Sequence, residues 1–466
     1  MVDLKVATLN GAEATLSESV IEEFRGRFGG PVIQPGDESY DQARSVWNGN
    51  IDKRPALIVQ CVGVADVIEA VNFARENDLL VALRGGGHNA AGHGTTDGGI
   101  VIDMSTMKAV HVDPTNKTVR AQPGATWADF DRETLAFGLA TTGGTVTNTG
   151  IAGLTLGGGL GWMMGKHGLT ADNLISADVV TAQGEFVKAN ESENEDLFWA
   201  LRGGGGNFGV VTSFEYNLHN VEPMVLGGMV LHPLDKAKEV LQFYREFSSN
   251  LPDEAESFAA LLTSPDGDAM VAIMLGYNGP IDEGERVLRP AREFGPPVAD
   301  LVQPMPYEVR QAMLDDAFAA HGVQRYWKSS LTETLSDDFI DVAIEGARNF
   351  ASPLSAIAIF RIHGAATRVD TDATAFGMRQ AQWDCNIISQ WDDPADNEEQ
   401  ITWTREFWAK MEPHTSGGTY VNHIAADDKP ERVRASYGPN YDRLAALKKK
   451  YDPTNMFRLN PNIRPA

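Results

Sequence analysis

Glycine is concentrated in three stretches of this chain, residues 85–99, 141–168 and 203–209, and this distribution limits which folds are possible. Each glycine inside a helix costs about 1 kcal/mol relative to alanine, so the second stretch is predicted to be a long irregular segment. Consecutive glycines also let a large ligand approach the bare backbone. The three stretches therefore predict a ligand site built from loops.

A strand–helix–strand unit precedes the first glycine stretch. Residues 56–62 and 79–83 are apolar and strand-like, and apolar residues recur at helical spacing from 64 to 74. Two strands joined by a helix run parallel in one sheet, and residues 99–103 predict a further strand. His88 follows three glycines at the carboxyl end of the second strand, where α/β sheets commonly bind ligands.

Glycine-rich runs also occur in dinucleotide-binding loops and in tight turns. Gly85-x-Gly87 and Gly204-x-Gly206 fit the dinucleotide-binding motif, but a helix must follow that motif, and neither run is followed by a helical pattern. Tight turns alone would account for one stretch more readily than for three. Together the stretches supply many outward N–H groups, which suit an anionic pyrophosphate attached to a flat ring.

The sequence changes character after residue 217, where strands alternate with longer helices. This pattern predicts an antiparallel sheet with helices on one face. The predicted strands are 226–231, 257–262, 270–275, 356–362 and 385–390, and the predicted helices are 236–248, 283–293 and 337–348. Outside this region the sequence predicts a hairpin over 178–187, a strand over 210–216 and a helix over 441–448.

Composition excludes several classes of protein. A chain of 466 residues is long enough for two domains, and its formal net charge of -25 disfavours nucleic acid as a partner. No apolar run reaches the roughly 18 residues that span a bilayer, and the first residues lack a signal-peptide pattern. We therefore expect a cytoplasmic protein without membrane partners, as a monomer or small homo-oligomer. Cys61 and Cys385 are predicted to be buried free thiols, and no metal site is expected.

Ordered motifs extend along nearly the whole chain. They are PALIV (55–59), RGGGHN (84–89), VIDMS (101–105), GLTLGGGLGW (153–162), GLTADNL (168–174), DLFWALRGGGGNFG (196–209), YWKS (326–329), YVN (420–422) and YDPTNMFR (451–458). With these motifs the sequence resembles bacterial berberine-bridge-enzyme-like flavoproteins of the vanillyl-alcohol-oxidase superfamily. The resemblance implies an α+β, bilobal fold. Residues 1–216 and 430–466 would form a PCMH-type FAD-binding domain, and residues 217–429 an inserted substrate-binding domain with an antiparallel sheet flanked by helices.

The resemblance also implies the cofactor FAD, with His88 bonded to the 8α carbon of the flavin. Many relatives add a second bond from a cysteine, but Val146 takes that position here, so a single covalent link is expected. The other residues expected to contact FAD are Gly85, Gly86, Gly87, Asn89, Gly92, His93, Gly144, Thr145, Thr149, Gly150, Gly153, Leu154, Gly158, Gly159, Gly161, Val211, Asn422 and Asn460.

The activity that the resemblance implies is that of an FAD-dependent oxidoreductase. The expected reaction is an oxidase reaction, which removes a hydride from an alcohol, a hemiacetal or a carbon beside nitrogen in a small molecule and passes the electrons to O2, giving H2O2. Two alternatives stay open at this point. One is a dehydrogenase with a non-oxygen acceptor, and the other is a flavin-bound protein that only sequesters a ligand.

Four residues are candidates for the chemistry. Tyr420 corresponds to a tyrosine that the family places over the flavin, and it can act as a base if the site lowers its pKa from about 10. Asp384 and Asn386 alternate on one predicted strand, so both are expected on the same face. Asp384 is the second candidate base, Asn386 is expected to orient the substrate, and Lys328 is expected to assist electrostatically.

Overall fold

The computed structural model describes residues 3–380 and 382–466. The strands are β1 (Leu4–Ala7), β2 (Glu13–Leu16), β3 (Val32–Ile33), β4 (Leu57–Gln60), β5 (Val81–Arg84), β6 (Ile100–Asp103), β7 (Val110–Asp113), β8 (Thr118–Ala121), β9 (Leu139–Ala140), β10 (Leu174–Val180), β11 (Phe186–Asn190), β12 (Val210–Asn217), β13 (His219–Asn220), β14 (Met224–Pro233), β15 (Ala255–Thr263), β16 (Ala269–Tyr277), β17 (Ala299–Asp300), β18 (Gln303–Pro306), β19 (Gln324–Thr332), β20 (Ala356–Ile362) and β21 (Gln382–Trp391).

The α-helices alternate with these strands. They are α1 (Glu18–Arg27), α2 (Tyr40–Arg44), α3 (Val64–Glu76), α4 (Trp127–Leu135), α5 (Ile151–Leu156), α6 (Met164–His167), α7 (Glu195–Leu201), α8 (Ala237–Ser249), α9 (Ile281–Glu293), α10 (Tyr307–Gln311), α11 (Asp315–Phe318), α12 (Asp337–Arg348), α13 (Ala365–Arg368), α14 (Asn397–Met411), α15 (Pro430–Tyr437) and α16 (Tyr441–Tyr451). Short 3-10 turns include Thr170–Asn173 and Val421–His423.

The first sheet contains the predicted parallel unit. Its strand order is β3-β4-β6-β5, with β4, β6 and β5 parallel and β3 antiparallel to β4. Helix α3 connects β4 to β5 and buries Val67, Ala70, Val71 and Ala74, which recur at helical spacing. The loop after β5 carries His88 and leads to β6 without an intervening helix in the part of the chain that the structure describes. The predicted strand–helix–strand unit is confirmed.

A second, antiparallel sheet completes the first lobe, by which we mean these two sheets and their helices. Its order is β11-β10-β12-β8-β7. The predicted hairpin is confirmed as β10 and β11, and Gly184 occupies its turn with a φ of 79°. The predicted strand over 210–216 is confirmed as β12.

The prediction of a wholly irregular segment over 141–168 was wrong, because α5 and α6 lie within it. Helix α5 contains a single glycine, and its residues Ile151, Ala152 and Leu156 are buried in the main core of the first lobe. Apolar packing therefore outweighs the low helix propensity of glycine. Gly158 and Gly159 follow with φ values of 113° and 89°, a conformation that ends the helical segment.

The third sheet forms the second lobe together with α8, α9, α12 and α14. Its strand order is β17-β14-β16-β15-β20-β21-β19, every neighbouring pair is antiparallel, and β18 pairs with β14. The helices pack on one face of this sheet, where Ile357 and Ile359 of β20 are fully buried with them. Ala356, Ala358 and Phe360 alternate to the opposite face. The predicted α+β class and the antiparallel sheet with helices on one face are confirmed.

The end of the chain returns to the first lobe. Met456 and Phe457 are buried in the same cluster as Leu57 and Val59 of β4. Lys448 of α16 is fully buried, where its ammonium donates to Asp452 at 2.6 Å and to the carbonyl oxygen of Asn207 at 2.7 Å. This arrangement agrees with a domain built from both chain ends, while the boundaries at residues 216 and 430 stay predictions.

Candidate active site

A cavity of about 810 Å³ lies between the two lobes. All three glycine stretches contribute to its wall on the first lobe, and the helix-free face of the third sheet forms its wall on the second. The three stretches therefore meet at one site, as the sequence predicts.

Bare backbone forms much of the first-lobe wall. A Cβ atom added at Gly86 would lie 2.6 Å from the Cα atom of Gly150, so these two loops touch and neither position accommodates a side chain. At Gly206, by contrast, an added Cβ would meet only the amide of Asn460, at 4.0 Å, so this backbone faces open space. The wall is shaped for a ligand that contacts peptide groups directly.

Several polar atoms in this wall are buried and find no hydrogen-bond partner among the residues that the structure describes. They include Nε2 of His93 and Oδ1 of Asn460, and across the cavity Oδ1 of Asn386. Buried polar atoms are nearly always paired in folded proteins, so these atoms indicate a bound group with several donors and acceptors. Burial lowers the pKa of His93 to about 4, so its ring stays neutral at physiological pH. A pyrophosphate and flat ring system such as FAD fits this wall.

His88 lies in this wall and stacks on an aromatic side chain. The indole of Trp47 stacks on the His88 ring with centroids 4.0 Å apart and planes inclined by 18°. The guanidinium of Arg325 also lies over the indole, 3.8 Å from a ring centroid. Burial is the main reason that the pKa of His88 falls to about 3, and the Arg325 charge lowers it further. His88 is therefore an uncharged imidazole at neutral pH.

The tautomer of His88 follows from its neighbours. Asn148 donates from Nδ2 to the carbonyl oxygen of Ala319 at 2.6 Å, which turns its Oδ1 toward His88. His88 Nε2 is 2.9 Å from that oxygen, so Nε2 carries the proton. The lone pair is then on Nδ1, which lies 3.4 Å from Oγ1 of Thr149. Nδ1 is consequently the nucleophilic atom.

A carboxylate and an imidazole meet where strand β21 faces the cavity. Oδ2 of Asp384 lies 2.9 Å from Nδ1 of His423, and Oδ1 of Asp384 accepts from Ser329 at 2.7 Å. The two atoms are close enough for an ion pair, but the orientation of the ring does not meet the geometry of a hydrogen bond between them. The amide of Asn386 lies two residues further on the same face.

Tyr420 also lines the cavity, but its environment does not suit a base. Its hydroxyl oxygen accepts the N–H of Gly159 at 3.0 Å and the amide of Asn422 at 2.7 Å. Burial nevertheless raises the pKa of Tyr420 to about 12. A lowered pKa, which the role of a base requires, is therefore not found, and the phenol stays protonated at neutral pH.

Most of the residues predicted to contact FAD line this cavity. They are Gly85, Gly86, Gly87, His88, Asn89, His93, Gly144, Thr145, Thr149, Gly150, Gly153, Leu154, Val211, Asn422 and Asn460. Tyr420, Asp384 and Asn386 join them there. The roles of these residues stay predictions.

Four predicted glycines lie outside the cavity wall and serve packing instead. They are Gly92, Gly158, Gly159 and Gly161. An added Cβ would come within 2.6 Å of the Phe376 ring at Gly158 and within 1.8 Å of the carbonyl oxygen of Gly143 at Gly161. These glycines are required because other parts of the protein, rather than a ligand, occupy the space beside them.

Lys328 does not belong to the candidate site. Its neighbour Trp327 lines the cavity, so alternation along β19 turns the Lys328 side chain to the other face. There its ammonium binds Asp427 at 2.9 Å and Asp428 at 2.7 Å. The lysine is a buried structural cation.

Several residues of the site were not predicted from the sequence. His423, Trp327, Gly205 and Gly206 line the cavity. The third glycine stretch pointed to the two glycines, and His423 follows directly after the YVN motif. No sequence motif pointed to Trp47 or Arg325, because their positions beside His88 depend on contacts between distant segments.

Two family models match this chain. A model of an FAD binding domain matches residues 55–190, and a model of berberine and berberine-like proteins matches residues 419–464. An FAD-linked oxidoreductase of Dictyostelium discoideum is 33% identical over 96% of this chain and 97% of its own length. The chain belongs to the berberine-bridge-enzyme-like family of FAD-linked oxidoreductases.

Proteins of known activity or known structure are similar to this chain. (R)-6-hydroxynicotine oxidase of Paenarthrobacter nicotinovorans is 30% identical over 94% of this chain and 97% of its own length. A crystal structure of 6-hydroxy-D-nicotine oxidase from Arthrobacter nicotinovorans superimposes with a TM-score of 0.86 at 29% identity, covering 94% of this chain and 98% of that one. Glucooligosaccharide oxidase from Acremonium strictum shares the fold, with a TM-score of 0.88 at 24% identity, covering 96% and 100% of the two chains.

As a member of this family, the protein is an FAD-linked oxidoreductase, and the cavity wall fits that cofactor. Val146 lines the cavity, whereas Cys61 and Cys385 are buried elsewhere as free thiols, as predicted. Among residues 3–380 and 382–466, no group of three or more His, Cys, Asp or Glu side chains is placed to hold a metal ion. No helix in these ranges is both long and apolar enough to cross a bilayer.

Proposed function

We propose that Nδ1 of His88 forms the single covalent bond to the 8α carbon of FAD and that the protein is an oxidase. The substrate would be a small molecule that loses a hydride from an alcohol, a hemiacetal or a carbon beside nitrogen, and O2 would accept the electrons to give H2O2. One observation carries this proposal. An uncharged imidazole with an unprotonated Nδ1 and a carboxylate–imidazole pair face the same cavity.

Known relatives support each half of the proposal. The bacterial relative at 30% identity is named an oxidase of a hydroxynicotine. Glucooligosaccharide oxidase carries a 6-S-cysteinyl, 8α-N1-histidyl FAD. Val146 and the position of both cysteines outside the cavity favour a histidyl bond alone in this protein.

Each polar residue around the cavity would have its own role in the reaction. Bound FAD would supply the hydride acceptor. Nε2 of His423 would take the substrate hydroxyl proton, and Asp384 beside Nδ1 would stabilise the resulting imidazolium. The amide of Asn386, whose oxygen has no partner, would orient the substrate hydroxyl. Tyr420 holds the backbone of Gly159 and the side chain of Asn422 in place.

Reoxidation in air tests the oxidase proposal. The holoprotein would be reduced anaerobically with one equivalent of dithionite and mixed with air-saturated buffer in a stopped-flow instrument. An oxidase restores the oxidised flavin spectrum within seconds and releases one H2O2 per flavin. If the reduced flavin is reoxidised by air with a half-life of minutes, but rapidly after addition of a quinone or dye, O2 is not the electron acceptor and the oxidase proposal is wrong.

A further inference from the structure

We propose that the body of the substrate is an apolar, flat ring system carrying one reacting polar group, rather than a sugar. This inference rests on the proposed function and adds the substrate class. It follows from the distribution of polar and apolar side chains on the cavity face of the third sheet.

On the cavity face of this sheet the carboxyl and amide side chains come from β21, and the lining residues of the next strand, β20, are apolar. Strand β21 contributes Asp384 and Asn386. The next strand, β20, contributes Ala356, Ala358 and Phe360, while its buried residues point into the helical layer. The floor of the substrate pocket is therefore polar at β21 and apolar at β20.

The register of the strands places a shallow slot beside Asn386. Ala260 of β15 pairs with Ala358 of β20, and Ala358 pairs with Asn386. Paired residues in neighbouring strands point to the same face, so these two alanines form a floor that ends at the Asn386 amide. Their small side chains leave space that a larger side chain would fill.

Larger apolar groups border this slot on both sides. Phe258 and Phe360 pair in the adjacent row, with ring centroids 5.1 Å apart. On the other side Ile388 pairs with Ala356 and with Trp327. Aromatic rings that flank a narrow floor favour a flat apolar ligand, which keeps dispersion contacts on both faces.

The opposite wall and the entrance are mainly apolar, with Asp316 and Ser355 as polar members of their lining. Met313, Leu314 and Phe318 come from the segment that contains α11 and face the cavity. Leu354, at 44% exposure, and Pro353 lie in the exposed loop before β20 that joins this wall. Apolar residues therefore extend from the slot to the surface.

A sugar would bind this slot unfavourably, because the free-energy cost of burying its hydroxyl groups would exceed the gain from apolar contacts. Each hydroxyl buried without a partner costs about 1–3 kcal/mol, and a hexose carries several. Gln390 cannot supply these partners, because its amide already contacts Arg325 and the carbonyl oxygen of Leu354. Asp384 is likewise engaged by Ser329 and His423. The amide of Asn386 and the ring of His423 are left as polar anchors beside the slot, enough for a single hydroxyl or amino group.

The test compares matched alcohols on the holoprotein. Benzyl alcohol and naphthylmethanol form the aryl series, glucose and cellobiose form the sugar series, and anaerobic bleaching of the flavin reports reduction. Acetophenone, which has no hydride to give, reports binding alone through a shift of the flavin spectrum. We expect the aryl alcohols to bleach the flavin and acetophenone to shift its spectrum, with no response to either sugar.

Variants connect this response to the slot. Ala358→Leu and Ala260→Leu should each raise the dissociation constant of naphthylmethanol about tenfold and that of benzyl alcohol less than about threefold, because the added leucine occupies the slot. Ala409→Leu, at a position of α14 away from the cavity, is the matched control and should change neither constant. Flavin content and thermal midpoint identify any variant that does not fold.

The outcomes separate the substrate class from the oxidase proposal. Bleaching by sugars alone, or equally by both series, overturns the class and leaves the oxidase proposal intact. Acetophenone binding that weakens in Ala358→Leu, without bleaching by any alcohol, supports the apolar slot and counts against the proposed reaction. Absence of both bleaching and spectral shift with every aryl compound overturns the inference.

Discussion

Replacement of Tyr420 by phenylalanine decides which group takes the substrate proton. With a pKa of about 12, the Tyr420 phenol is ionised in about one molecule in ten thousand at pH 8. Its use as a base would then cost about 5 kcal/mol before any chemistry begins, since each pKa unit corresponds to about 1.4 kcal/mol. The imidazole of His423, which lies 2.9 Å from Asp384 and lines the same cavity, offers a route for the proton that does not require an ionised phenol.

The expected result follows from this difference. Tyr420→Phe should lower the rate of flavin reduction less than about tenfold, although loss of an acceptor for Gly159 and Asn422 should lower the free energy of unfolding by about 1–3 kcal/mol. Asp384→Asn and His423→Phe should each lower the rate about 10²–10⁴-fold. Anaerobic stopped-flow absorbance at saturating substrate measures all three.

One pattern of rates would identify the phenol as the base instead. In that pattern Tyr420→Phe keeps its flavin and thermal midpoint but loses more than about a hundredfold in rate, while Asp384→Asn stays near the unchanged protein. Ser329→Ala is a useful control, because it removes a contact to Asp384 Oδ1 and leaves the contact to His423 in place.

Three further predictions concern substitutions of single residues. The Asp131 carboxyl is buried, has no hydrogen-bond partner in the described part of the chain, and has a pKa that burial raises from 3.8 to about 8. The folded protein therefore keeps a proton that the unfolded chain releases above pH 3.8, so the free energy of unfolding falls as pH rises from about 4 to 8. Asp131→Asn should therefore leave the thermal midpoint nearly unchanged at pH 4 and raise it at pH 7, by up to about 4 kcal/mol in free energy of unfolding; an equal shift at both pH values would contradict this. Gly86→Ala should abolish FAD incorporation, because its Cβ would meet the Gly150 backbone, whereas Gly26→Ala, with open space around it, should load normally in an absorbance assay of purified protein. Asn148→Ala should slow covalent attachment about tenfold or more without preventing non-covalent FAD binding, since His88 loses the acceptor that keeps its proton on Nε2; normal attachment kinetics after mixing apoprotein with FAD would argue against that role.

Local patterns made much of the fold predictable. Apolar residues at helical and alternating spacing indicated the unit around α3 and the strands of the third sheet, because each pattern corresponds to one buried face. The glycine stretches indicated a site built from loops, because consecutive glycines let a large ligand contact the backbone directly. The short helix α5 was not predicted, since its stability comes from burial of Ile151 and Leu156 in a core formed by distant segments.

The site was predictable only in part, for two physical reasons. A glycine required by packing, such as Gly158 against Phe376, has the same appearance in sequence as one that faces a ligand, such as Gly206. The protonation of Tyr420, the pairing of Asp384 with His423 and the stack on His88 all depend on burial and on contacts between distant segments. Alternation did place Asp384 and Asn386 together, because a strand fixes that relation locally.

The proposed function depends most on the covalent bond to His88, and mass spectrometry of the acid-denatured protein tests that bond directly. We expect a yellow precipitate and a single FAD adduct on the proteolytic peptide that contains His88, with His88→Ala losing both and Val146-containing peptides unmodified. A colourless precipitate with all FAD in the supernatant, or an adduct on any other residue, would contradict the proposed bond.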